Sequence, residues 1–581
     1  MGAFSQRILH GKVDVVGGAL VHKQEAAFGL SYLPPQLLNS LLENLSADDL
    51  HRALQQGLVP TAWMPYRTFF AQCDGFPVQK EIQLVAKIKR ADFDKAVQQL
   101  HSHRLAHRAA LGLAKTFPQF SARRRLTHAQ SRWLLLVAII GLCCLVFLPA
   151  SIVSYLFGTI FLGFFGTMIW LRILALSEPH VQRSQDRERD NDKLPVYSVL
   201  VPMFREISVL PQAVAALSGL NYPVGKLDIK LILEENDMVM QRAVAAMTLP
   251  QHFQVLIVPS GRPQTKPRAL NYALNFARGS LITIFDAEDI PEPMQLRIAA
   301  KQFANLPDTY ACLQAELSYY NSNENWLTRQ FAIEYATLFK LVLPALAANR
   351  MPMPLGGTSN HFRIDVLRSI GGWDPHNVTE DADLGFRLAR VGYQSGILES
   401  VTYEEANTKL GNWLHQRARW FKGFLQTWLV HMRNPPQLIK EIGLSGFVIL
   451  QACILGVVLS AAFYPLFLCT SLYQLVSALF GIETDEWLGA TLAKALFMGL
   501  FFAGQGVMIF SAAEALRRKR LPQWSLALAT MPIYWLLASV AAWLAIWQLL
   551  VNPFHWNKTR HGLSRFVIQP RKASATLPSS Q

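Results

Sequence analysis

The chain has 581 residues, of which 51% are hydrophobic and only 16% are charged. This length exceeds one domain, and so apolar a composition excludes an ordinary soluble protein and predicts membrane-spanning segments. Its 55 Lys and Arg outnumber its 40 Asp and Glu, which gives a formal net charge of +15. Because no nucleic-acid-binding motif accompanies this charge, anionic membrane headgroups explain it better than a nucleic acid does.

Residues 1–131 are polar and mixed in charge, and they alternate helical patterns with short strand-like pieces. We interpret them as a small mixed α/β accessory domain on the cytoplasmic side. The first residues lack the continuous apolar stretch of a cleavable signal peptide, so we expect the N-terminus to stay in the cytoplasm. The six cysteines are scattered without metal-ligand spacing and predict no disulfide framework.

Residues 132–176 predict a transmembrane hairpin. No charged residue occurs between Arg132 and Arg172, and Pro149 lies near the middle of this run. At about 20 residues for each crossing, the run is long enough for two helices. Buried helices of a large soluble domain are the alternative, but globular helices of this length still carry a polar face.

A second apolar block, 442–551, predicts three or four further crossings. Its charge-free stretches cover 442–482, 495–513 and 521–557. The basic cluster at 517–520 favours a cytoplasmic end for the second stretch, as the positive-inside rule expects. The chain is therefore predicted to be a multi-pass protein of the inner (plasma) membrane.

Between the two apolar blocks, a charged linker (177–192) leads into residues 193–436. There, apolar strand-like runs alternate with helical patterns, which predicts a parallel sheet covered by helices. Ligands bind such open sheets outside the carboxyl ends of the strands. The polar residues that end these strands are therefore the candidates for a functional site.

One predicted strand ends at Asp286, with Glu288 and Asp289 directly after it. Carboxylates at this spacing can hold a hard divalent ion that bridges a diphosphate, although a solvated acidic loop would look the same. Lys266 and Arg268 stand just before a helix that leads into this strand. Their cations are suited to phosphate oxygens, and an ordinary basic helix start is the alternative.

Two other predicted strands end in polar residues. The first ends near Pro202 and Glu206, and the second near Glu235 and Asp237. At the same edge of a parallel sheet, these residues would border a nucleotide bound in the crevice.

An amphipathic helix is predicted to open with Thr379, Glu380 and Asp381, followed by Asp383. A carboxylate at this position can accept a proton from a sugar hydroxyl, whereas helix capping is the structural alternative. A later helix places Gln416, Arg419 and Trp420 within two turns. Arginine can pair with a diphosphate and tryptophan can stack on a sugar, but a membrane-surface helix also favours both residue types.

In this order, the motifs resemble those of the processive family 2 glycosyltransferases, which include the cellulose, chitin, curdlan and hyaluronan synthases. That family has an early aspartate, an Asp-x-Asp, a Thr-Glu-Asp and a Gln-x-x-Arg-Trp ahead of further transmembrane helices. The resemblance spans roughly residues 195–435. It implies a GT-A (Rossmann-like) α/β catalytic domain, 193–436, embedded between the helical transmembrane segments.

The resemblance also implies roles for the motif residues. Asp381, in the motif with Glu380, would be the base of an inverting displacement, and Asp286 with Glu288 would hold Mg²⁺ or Mn²⁺ on the diphosphate. Lys266 would approach the phosphates. The remaining motif residues would frame the leaving group and, in the case of the tryptophan, the acceptor as well: Gln416, Arg419 and Trp420.

Two departures from the family pattern bear on these roles. The position that recognises the nucleobase of the donor reads Glu234-Glu235-Asn236-Asp237 in place of paired aspartates, which weakens the prediction of a uridine nucleotide. The second metal position is Glu288 in place of aspartate, which leaves Asp289 as a substitute ligand.

Two further segments resemble parts of the family. The stretch 355–363 resembles an acceptor-side loop, with Thr358, Ser359 and His361 as acceptor-binding candidates. In the tail, 552–581, a short segment resembles loops that fold over the bound nucleotide, and its candidates are Trp556, Lys558, Thr559 and Arg560. This gating role requires a cytoplasmic C-terminus, and hence an even number of crossings after the catalytic domain. About six crossings in all would then be needed.

These features predict an inverting enzyme that moves a sugar from a nucleotide sugar, UDP-linked by resemblance, to a growing polysaccharide at the cytoplasmic membrane face. Processive synthesis with export is the first hypothesis. Transfer of a single sugar to a polyprenyl phosphate is the second, and a non-catalytic export or receptor component is the third. The expected partners are the nucleotide-sugar donor, a polysaccharide or lipid-linked acceptor, membrane lipids and export proteins, but no nucleic acid.

Overall fold

The structure is a computed structural model, which describes residues 15–16, 19–20, 33, 35–43, 45–64, 67–76, 84–178, 191–481, 488–521, 524–553, 562 and 564–565. Its N-terminal part combines short helices with a three-stranded sheet in the order β3-β4-β5. The elements there are β1 (Val15–Val16), β2 (Ala19–Leu20), α1 (Pro35–Glu43), α2 (Ala47–Gln56), β3 (Leu58–Met64), β4 (Arg67–Cys73), β5 (Leu84–Ile88) and α3 (Arg90–Thr116).

Local signals define both ends of α2, and a contact with the central domain holds α3. Ser46 caps α2 by accepting a hydrogen bond from the backbone N–H of Asp49 (3.1 Å), and Gly57, at φ +66°, ends the helix. Helix α3 then packs against the central α/β domain, where Asn271 donates to the carbonyl oxygen of Ala109 (3.3 Å). The N-terminal part is thus in direct contact with the domain that follows.

The central domain contains an eight-stranded mixed sheet in the order β10-β13-β11-β12-β9-β6-β7-β8. Both faces are covered by helices, and β7 is buried over its whole length. Its elements are β6 (Tyr197–Met203), α6 (Leu210–Ser218), β7 (Leu227–Glu234), α7 (Met238–Ala245), β8 (Phe253–Val258), α8 (Lys266–Ala273), β9 (Leu281–Ile284), β10 (Ile290–Pro291), α9 (Gln295–Asn305), β11 (Tyr310–Tyr319), α10 (Trp326–Thr337), α11 (Leu343–Ala348), β12 (Asn360–Arg363), α12 (Ile364–Ser369), α13 (Glu380–Arg390), β13 (Gln394–Glu404) and α14 (Leu410–His431).

The sheet departs from the predicted all-parallel arrangement. Strands β6, β7, β8 and β9 are parallel to their neighbours among themselves, as expected. Strand β12, however, is inserted between β9 and β11 and runs antiparallel to both. With only four residues, it has too short a pattern to reveal its direction or its central position from sequence.

Long apolar helices flank this domain. Helices α4 (His128–Phe147) and α5 (Ala150–Ser177) precede it and are separated at Pro149. The helices that follow it are α15 (Pro435–Leu450), α16 (Val457–Leu479), α17 (Leu488–Arg518), α18 (Ser525–Ala529) and α19 (Met531–Val551). A π-helical segment, Gln451–Gly456, joins α15 to α16.

Six helical runs among the described residues are long and apolar enough to cross a membrane, judged by length and composition only. Five of them come from α4, α5, the joined α15 and α16, α17 and α19. The sixth, Trp326–Ala348, lies inside the central domain and packs against the sheet as well as against α5. Sequence analysis had assigned this run to the α/β domain.

The last apolar helix, α19, remains close to the central domain along its length. Near its beginning, the hydroxyl group of Tyr534 accepts hydrogen bonds from Trp413 (3.2 Å) and Arg417 (2.9 Å) of α14. Just beyond its end, the carbonyl oxygen of Pro553 accepts from Gln426, also of α14 (2.9 Å). Helices α14 and α19 therefore run side by side in the same direction.

Candidate active site

The loop after β9 forms a tight turn that presents Asp286. Asp289 stabilises this turn, because its Oδ2 atom accepts hydrogen bonds from the backbone N–H of Asp286 (2.7 Å) and from the hydroxyl group of Thr358. Its side chain is buried, whereas that of Asp286 retains 32% of its accessible surface. Burial raises the pKa of Asp289 well above its ordinary value, and the charges of Asp286 and Glu288 raise it further. Asp289 thus positions Asp286.

Lys266, the first residue of α8, neutralises this acidic loop. Its Nζ atom lies 2.5 Å from Oδ1 of Asp286 and 2.8 Å from the carbonyl oxygen of Gly357. Burial alone would lower the pKa of Lys266, but the nearby charges of Asp286 and Glu380 outweigh it and raise the pKa above its ordinary value. Lys266 is therefore a permanent cation between two of the predicted motifs.

The Thr379-Glu380-Asp381 motif meets the same point from the start of α13. A Cβ atom added at Gly357 would lie 3.1 Å from Oδ2 of Asp381 and 4.0 Å from Nζ of Lys266. Asp381 is partly exposed, whereas Glu380 is only 4% exposed. Burial raises the pKa of both carboxyl groups, and the charge of Asp381 raises that of Glu380 further. The two predicted acidic motifs therefore face one site.

Helix α14 brings Arg419 to this site by packing closely on the loop before α13. Any side chain at Gly423 would overlap Thr379, and Asn377 donates a hydrogen bond to Thr427 (2.8 Å). Burial lowers the pKa of Arg419, while the charges of Glu380, Asp381 and Asp286 act in the opposite direction. The guanidinium group thus lies in the field of all three carboxylates.

The other two residues of this motif are placed differently. The indole of Trp420 stacks on Tyr335, with ring centroids 6.2 Å apart and an interplanar angle of 29°. The guanidinium group of Arg417 lies 4.9 Å from the Trp420 ring. Gln416 accepts a hydrogen bond from Asn407 (2.7 Å), so its carbonyl oxygen is already engaged by the protein.

The predicted nucleotide-binding residues on β6 and β7 separate into three environments. Asp237 links the two strand ends, because it accepts hydrogen bonds from the backbone N–H groups of Arg205 (2.6 Å) and Met240 (3.2 Å). Pro202 is partly exposed at the end of β6. Glu206 accepts a weak hydrogen bond from the backbone of Phe204 (3.4 Å).

Glu235 is exposed and turns toward the loop after β8. It accepts a hydrogen bond from the backbone N–H of Ser260 (2.8 Å), and this bond lowers the pKa of Glu235. The neighbouring Glu234 is buried and pairs with Arg268 (2.7 Å). Arg268 therefore stabilises the fold as the buried ion-pair partner of Glu234.

Two of the predicted acceptor residues lie in the interior of the sheet. Ser359 and His361 are 0% exposed, and His361 hydrogen-bonds Tyr197 (2.6 Å) and Gln295 (3.3 Å). Burial lowers the pKa of His361 to about 3, so the ring is neutral at physiological pH. This burial argues against a direct contact of Ser359 and His361 with an acceptor, because both residues lie in the middle of a sheet that is covered on both faces.

Thr358, the third predicted acceptor residue, is also buried, at 2% exposure. Its hydroxyl group donates to Asp289 and approaches the carbonyl oxygen of Ile284 (3.1 Å). Its structural role is thus to hold the acidic turn. The segment with Trp556, Lys558, Thr559 and Arg560 lies outside the described residues.

Sequence analysis missed two participants. The carbonyl oxygen of Gly357 accepts a hydrogen bond from Lys266, and Glu404 ends β13 beside the acidic turn. Burial raises the pKa of Glu404 well above its ordinary value, and the charges of Asp289, Asp286 and Glu288 add to the effect. Its position at a strand end was the available signal. That signal went unused because β13 was not among the strands read as bordering the crevice.

The acidic donor set suits a hard divalent cation that is completed by substrate oxygens. Atoms Oδ1 of Asp289 and Oε1 of Glu404 are buried and accept no hydrogen bond within the described residues. Among the described residues, no group of three or more Asp, Glu, His or Cys side chains is arranged so that it could hold a metal ion. Such ions are commonly bound by one or two carboxylates together with phosphate oxygens, and Asp286 with Glu288 could provide this.

The sequence comparisons identify related proteins for this part of the chain. Residues 281–555 match the family model "Glycosyl transferase family group 2". A probable glycosyltransferase of Bacillus subtilis, YdaM, is 25% identical over 42% of this chain and 58% of its own length. A β-monoglucosyldiacylglycerol synthase of Synechocystis is 27% identical over 44% of this chain and 54% of its own. A probable glucomannan 4-β-mannosyltransferase of Arabidopsis thaliana is 25% identical over 41% and 44%, respectively.

The chain thus spans about half the length of the curated relatives that it matches. Among solved structures, a mannosyltransferase of Pyrobaculum calidifontis in complex with GDP-mannose and Mn²⁺ aligns with 68% of this chain and 99% of its own. The TM-score is 0.43 and the sequence identity is 16%.

Proposed function

We propose that this chain is an enzyme that transfers a sugar from a nucleotide sugar to an acceptor hydroxyl at a membrane surface. The match of residues 281–555 to the family model "Glycosyl transferase family group 2" supports this proposal. The observation that carries this proposal is the convergence of Lys266, Asp286 and Asp381 at Gly357. Residues that are 115 positions apart in the chain (266 and 381) thereby meet beside one backbone position.

In this proposal, Asp381 is the general base. Its carboxylate accepts the proton of the acceptor hydroxyl as that oxygen bonds to the anomeric carbon and the bond from that carbon to the diphosphate breaks. A single displacement of this kind inverts the configuration at the anomeric carbon. Asp381 is favoured over Glu380 because it is partly exposed, whereas Glu380 is buried behind it.

The cationic groups stabilise the departing diphosphate. Lys266 and Arg419 approach the site from α8 and α14, and both are charged where negative charge develops. We propose that Asp286 and Glu288 hold Mg²⁺ or Mn²⁺, which would neutralise the diphosphate as a Lewis acid. Asp289 holds the turn that presents Asp286, and Trp420 would stack on a sugar ring.

The donor base and sugar are proposed only by class. Asp237, Pro202 and Glu206 lie at the ends of β6 and β7, where a nucleotide would bind. A UDP-sugar remains the prediction for the donor. The exposed Glu235, turned toward Ser260, supports no contact with the base.

We also propose a membrane arrangement with the catalytic domain on the cytoplasmic side. Helices α4 and α5 form two crossings before the catalytic domain. Two further crossings follow it: the first is the joined α15 and α16, and the second is α17. After α17, Lys519 pairs with Glu316 of β11 (2.7 Å), which supports a return of the chain to the catalytic side. Helix α19 would then lie along α14 at the membrane boundary.

This arrangement contains four crossings in place of the predicted six and keeps the C-terminus on the catalytic side. Contacts of the tail support it: Gly562 and Ser564 donate backbone hydrogen bonds to Glu405 at 2.5 and 2.7 Å. The gating role of Trp556, Lys558, Thr559 and Arg560 remains a prediction. Tail residues on both sides of them contact the catalytic domain.

Two acceptor classes remain for this site. Processive extension of a polysaccharide is supported by the Gln416-to-Trp420 motif, and transfer to a lipid is supported by the match to monoglucosyldiacylglycerol synthases. A non-catalytic export component is not favoured, because the carboxylates and the cations of the site are all in place.

The test replaces the proposed base without changing its shape. In Asp381→Asn, we expect sugar transfer to fall by about 10³-fold, within the range for loss of general-base catalysis, while donor binding is retained. Transfer of radiolabelled sugar by purified enzyme in lipid nanodiscs would be measured with UDP-glucose, UDP-N-acetylglucosamine and GDP-mannose. Asp365→Asn, at an exposed carboxylate in the first turn of α12, is the matched control. Undiminished transfer by Asp381→Asn would refute the proposal.

A further inference from the structure

An apolar cavity of about 210 Å³ lies between the membrane helices and the catalytic domain. Its walls come from α5, α16, α17 and α19, and its floor comes from α10 and α14 of the catalytic domain. None of the groups assigned above to catalysis lines it. The cavity therefore requires a separate explanation.

The floor of the cavity is polar. Arg417 of α14 makes a double ion pair with Glu334 of α10 (2.5 and 2.6 Å), and Tyr534 donates to Glu334 (2.8 Å). Arg172 of α5 also lines the cavity, and its Nη1 atom is buried with no hydrogen-bond partner among the described residues. A buried guanidinium nitrogen without an acceptor is costly, so this atom calls for an oxygen from an occupant.

The opposite end of the cavity is hydrocarbon. Beyond the hydrogen bond between Tyr464 and Gln505 (3.4 Å), the lining comes from Leu162, Phe165 and their counterparts on α17, Phe497 and Phe501. On α5, residues 162 and 172 are separated by about 15 Å at 1.5 Å per residue. The cavity thus has one polar end and a long apolar end, as an amphiphile does.

The polar end adjoins the catalytic site through one helix. Arg417 lines the cavity and lies over the ring of Trp420, which itself stacks on Tyr335. Arg419, two residues further along α14, lies near enough to Glu380 and Asp381 for their charges to act on it, and α14 packs on Thr379 through Gly423. A head group at the floor of the cavity would therefore be next to the Trp420 ring and the transfer site.

We propose that this cavity binds the acceptor, and that the acceptor is a lipid. Its hydrocarbon chain lies between α5, α16 and α17, and its oxygen-bearing head group accepts a hydrogen bond from Arg172 and projects past Trp420 to Asp381. A glycan is disfavoured as the occupant, because its hydroxyl groups would find no polar partner along the apolar end. This inference rests on the proposed function and names the acceptor class for the same site.

The test fills the cavity without touching the catalytic residues. Full-length enzyme in phosphatidylcholine nanodiscs is supplied with labelled donor and, in separate arms, with dioleoylglycerol, undecaprenyl phosphate or phosphatidylglycerol. In Ala538→Trp and Ala461→Trp, transfer into the chloroform-soluble fraction should fall by about tenfold, as expected when roughly two methylene groups can no longer be buried. Metal-dependent donor hydrolysis without acceptor should be unchanged.

Val540→Trp, at a position of α19 with 56% exposure, is the matched control and should transfer normally. Arg172→Gln should raise the KM for the lipid about tenfold and leave donor hydrolysis unchanged, because one head-group hydrogen bond is lost. A photoreactive diazirine lipid gives an independent readout that does not depend on the variants. It should label peptides of α5 and α17, and the active acceptor should compete with it.

The outcomes separate this inference from the proposed function. Absence of both transfer and donor hydrolysis with every donor would refute the function itself. Donor hydrolysis with label only in ethanol-insoluble polymer, at wild-type level in Ala538→Trp, would refute the lipid inference alone. The arm that accepts label distinguishes a hydroxyl-bearing glycerolipid from a lipid phosphate.

Discussion

The end of β9 and the interior of β12 lie side by side in the sheet, and both carry polar residues that the sequence marked as functional. At the end of β9, Asp286 keeps a third of its surface exposed and faces Lys266. In β12, His361 is fully buried and its ring nitrogens face Tyr197 and Gln295. The same class of side chain is therefore exposed and proposed to bind substrate at one place, whereas it holds the sheet at the other.

The difference follows from where each strand stops. A residue just beyond the carboxyl end of a parallel strand leaves the hydrogen-bonded ladder and points into the crevice, whereas one inside a central strand faces a covered surface. Asp289 shows an intermediate case, because it leaves the strand but turns inward to bond Asp286 and Thr358. Position relative to the strand end thus decides the role.

The largest effect that tests this comparison is expected at Lys266. In Lys266→Met, the carboxylate of Asp286 and the carbonyl oxygen of Gly357 lose their cationic partner, and the departing diphosphate loses stabilisation. We expect kcat to fall by about 10²- to 10³-fold, as when one preorganised donor to a developing charge is removed. Lys95→Met, at an exposed position of α3, serves as the control.

Activity assays of purified Lys266→Met should be paired with thermal unfolding, because Lys266 also holds the loop at Gly357. A fall in kcat at an unchanged unfolding midpoint would assign its role to catalysis. A kcat within about threefold of wild type would remove Lys266 from the site, since a single charge-assisted hydrogen bond accounts for more than that.

A smaller effect is expected in the pH profile. The base must be deprotonated to act, and burial raises the pKa of Asp381 above its ordinary value of 3.8. Transfer should therefore decline as the pH falls through a value above 3.8, along an acid limb to which the neighbouring Glu380 and Asp381 both contribute. Measuring kcat/KM between about pH 4 and 9 defines this limb, with a tenfold change for each pH unit below it.

Arg419→Gln provides the internal check on the pH profile. Arg419 lowers the pKa of Asp381, so its removal should move the acid limb to higher pH. The control Arg329→Gln, on α10 of the same domain, should leave the pH of the acid limb unchanged. If the acid limb stayed at the same pH in Arg419→Gln, Arg419 would have no electrostatic influence on the general base.

Sequence alone predicted the part of the site that depends on local order. Asp286, Asp381 and Arg419 were assigned from motifs that end a strand, start a helix or share one helix face. The structure brings Asp286 and Asp381 together beside Lys266, and Arg419 lies near enough to feel the charges of both carboxylates. Their convergence needed no knowledge of the strand order, since any parallel sheet brings its carboxyl ends to one edge.

The features that sequence did not predict depend on long-range pairing. Strand β12 pairs with residues of β9 and β11 that are about 80 and 48 positions away in the chain, and no periodicity in four residues specifies such partners. Glu404 was missed because β13 pairs with β11 only in the folded sheet. Helix α19 lies along α14 through Tyr534 and Pro553, and its apolar composition does not reveal this packing partner.

The smallest effect on catalysis, and the clearest contrast, is expected at His361. In His361→Phe, the buried hydroxyl group of Tyr197 loses its partner, and we expect a loss of about 1–3 kcal/mol in stability. Transfer per folded molecule should change by less than about twofold, and the acid limb should not move, because the neutral His361 contacts no substrate.

The double variant Tyr197→Phe/His361→Phe distinguishes a lost hydrogen bond from lost packing. Removing both polar groups leaves neither of them unsatisfied, so the double variant should be more stable than His361→Phe alone, with a coupling energy of about 1 kcal/mol. Thermal unfolding and transfer would be measured on the same preparations. A raised KM for the acceptor in His361→Phe, with no loss of stability, would reverse the assignment and return β12 to the acceptor site. A loss of stability with unchanged KM would exclude β12 from acceptor binding and leave Asp381 and Arg419 as the candidates.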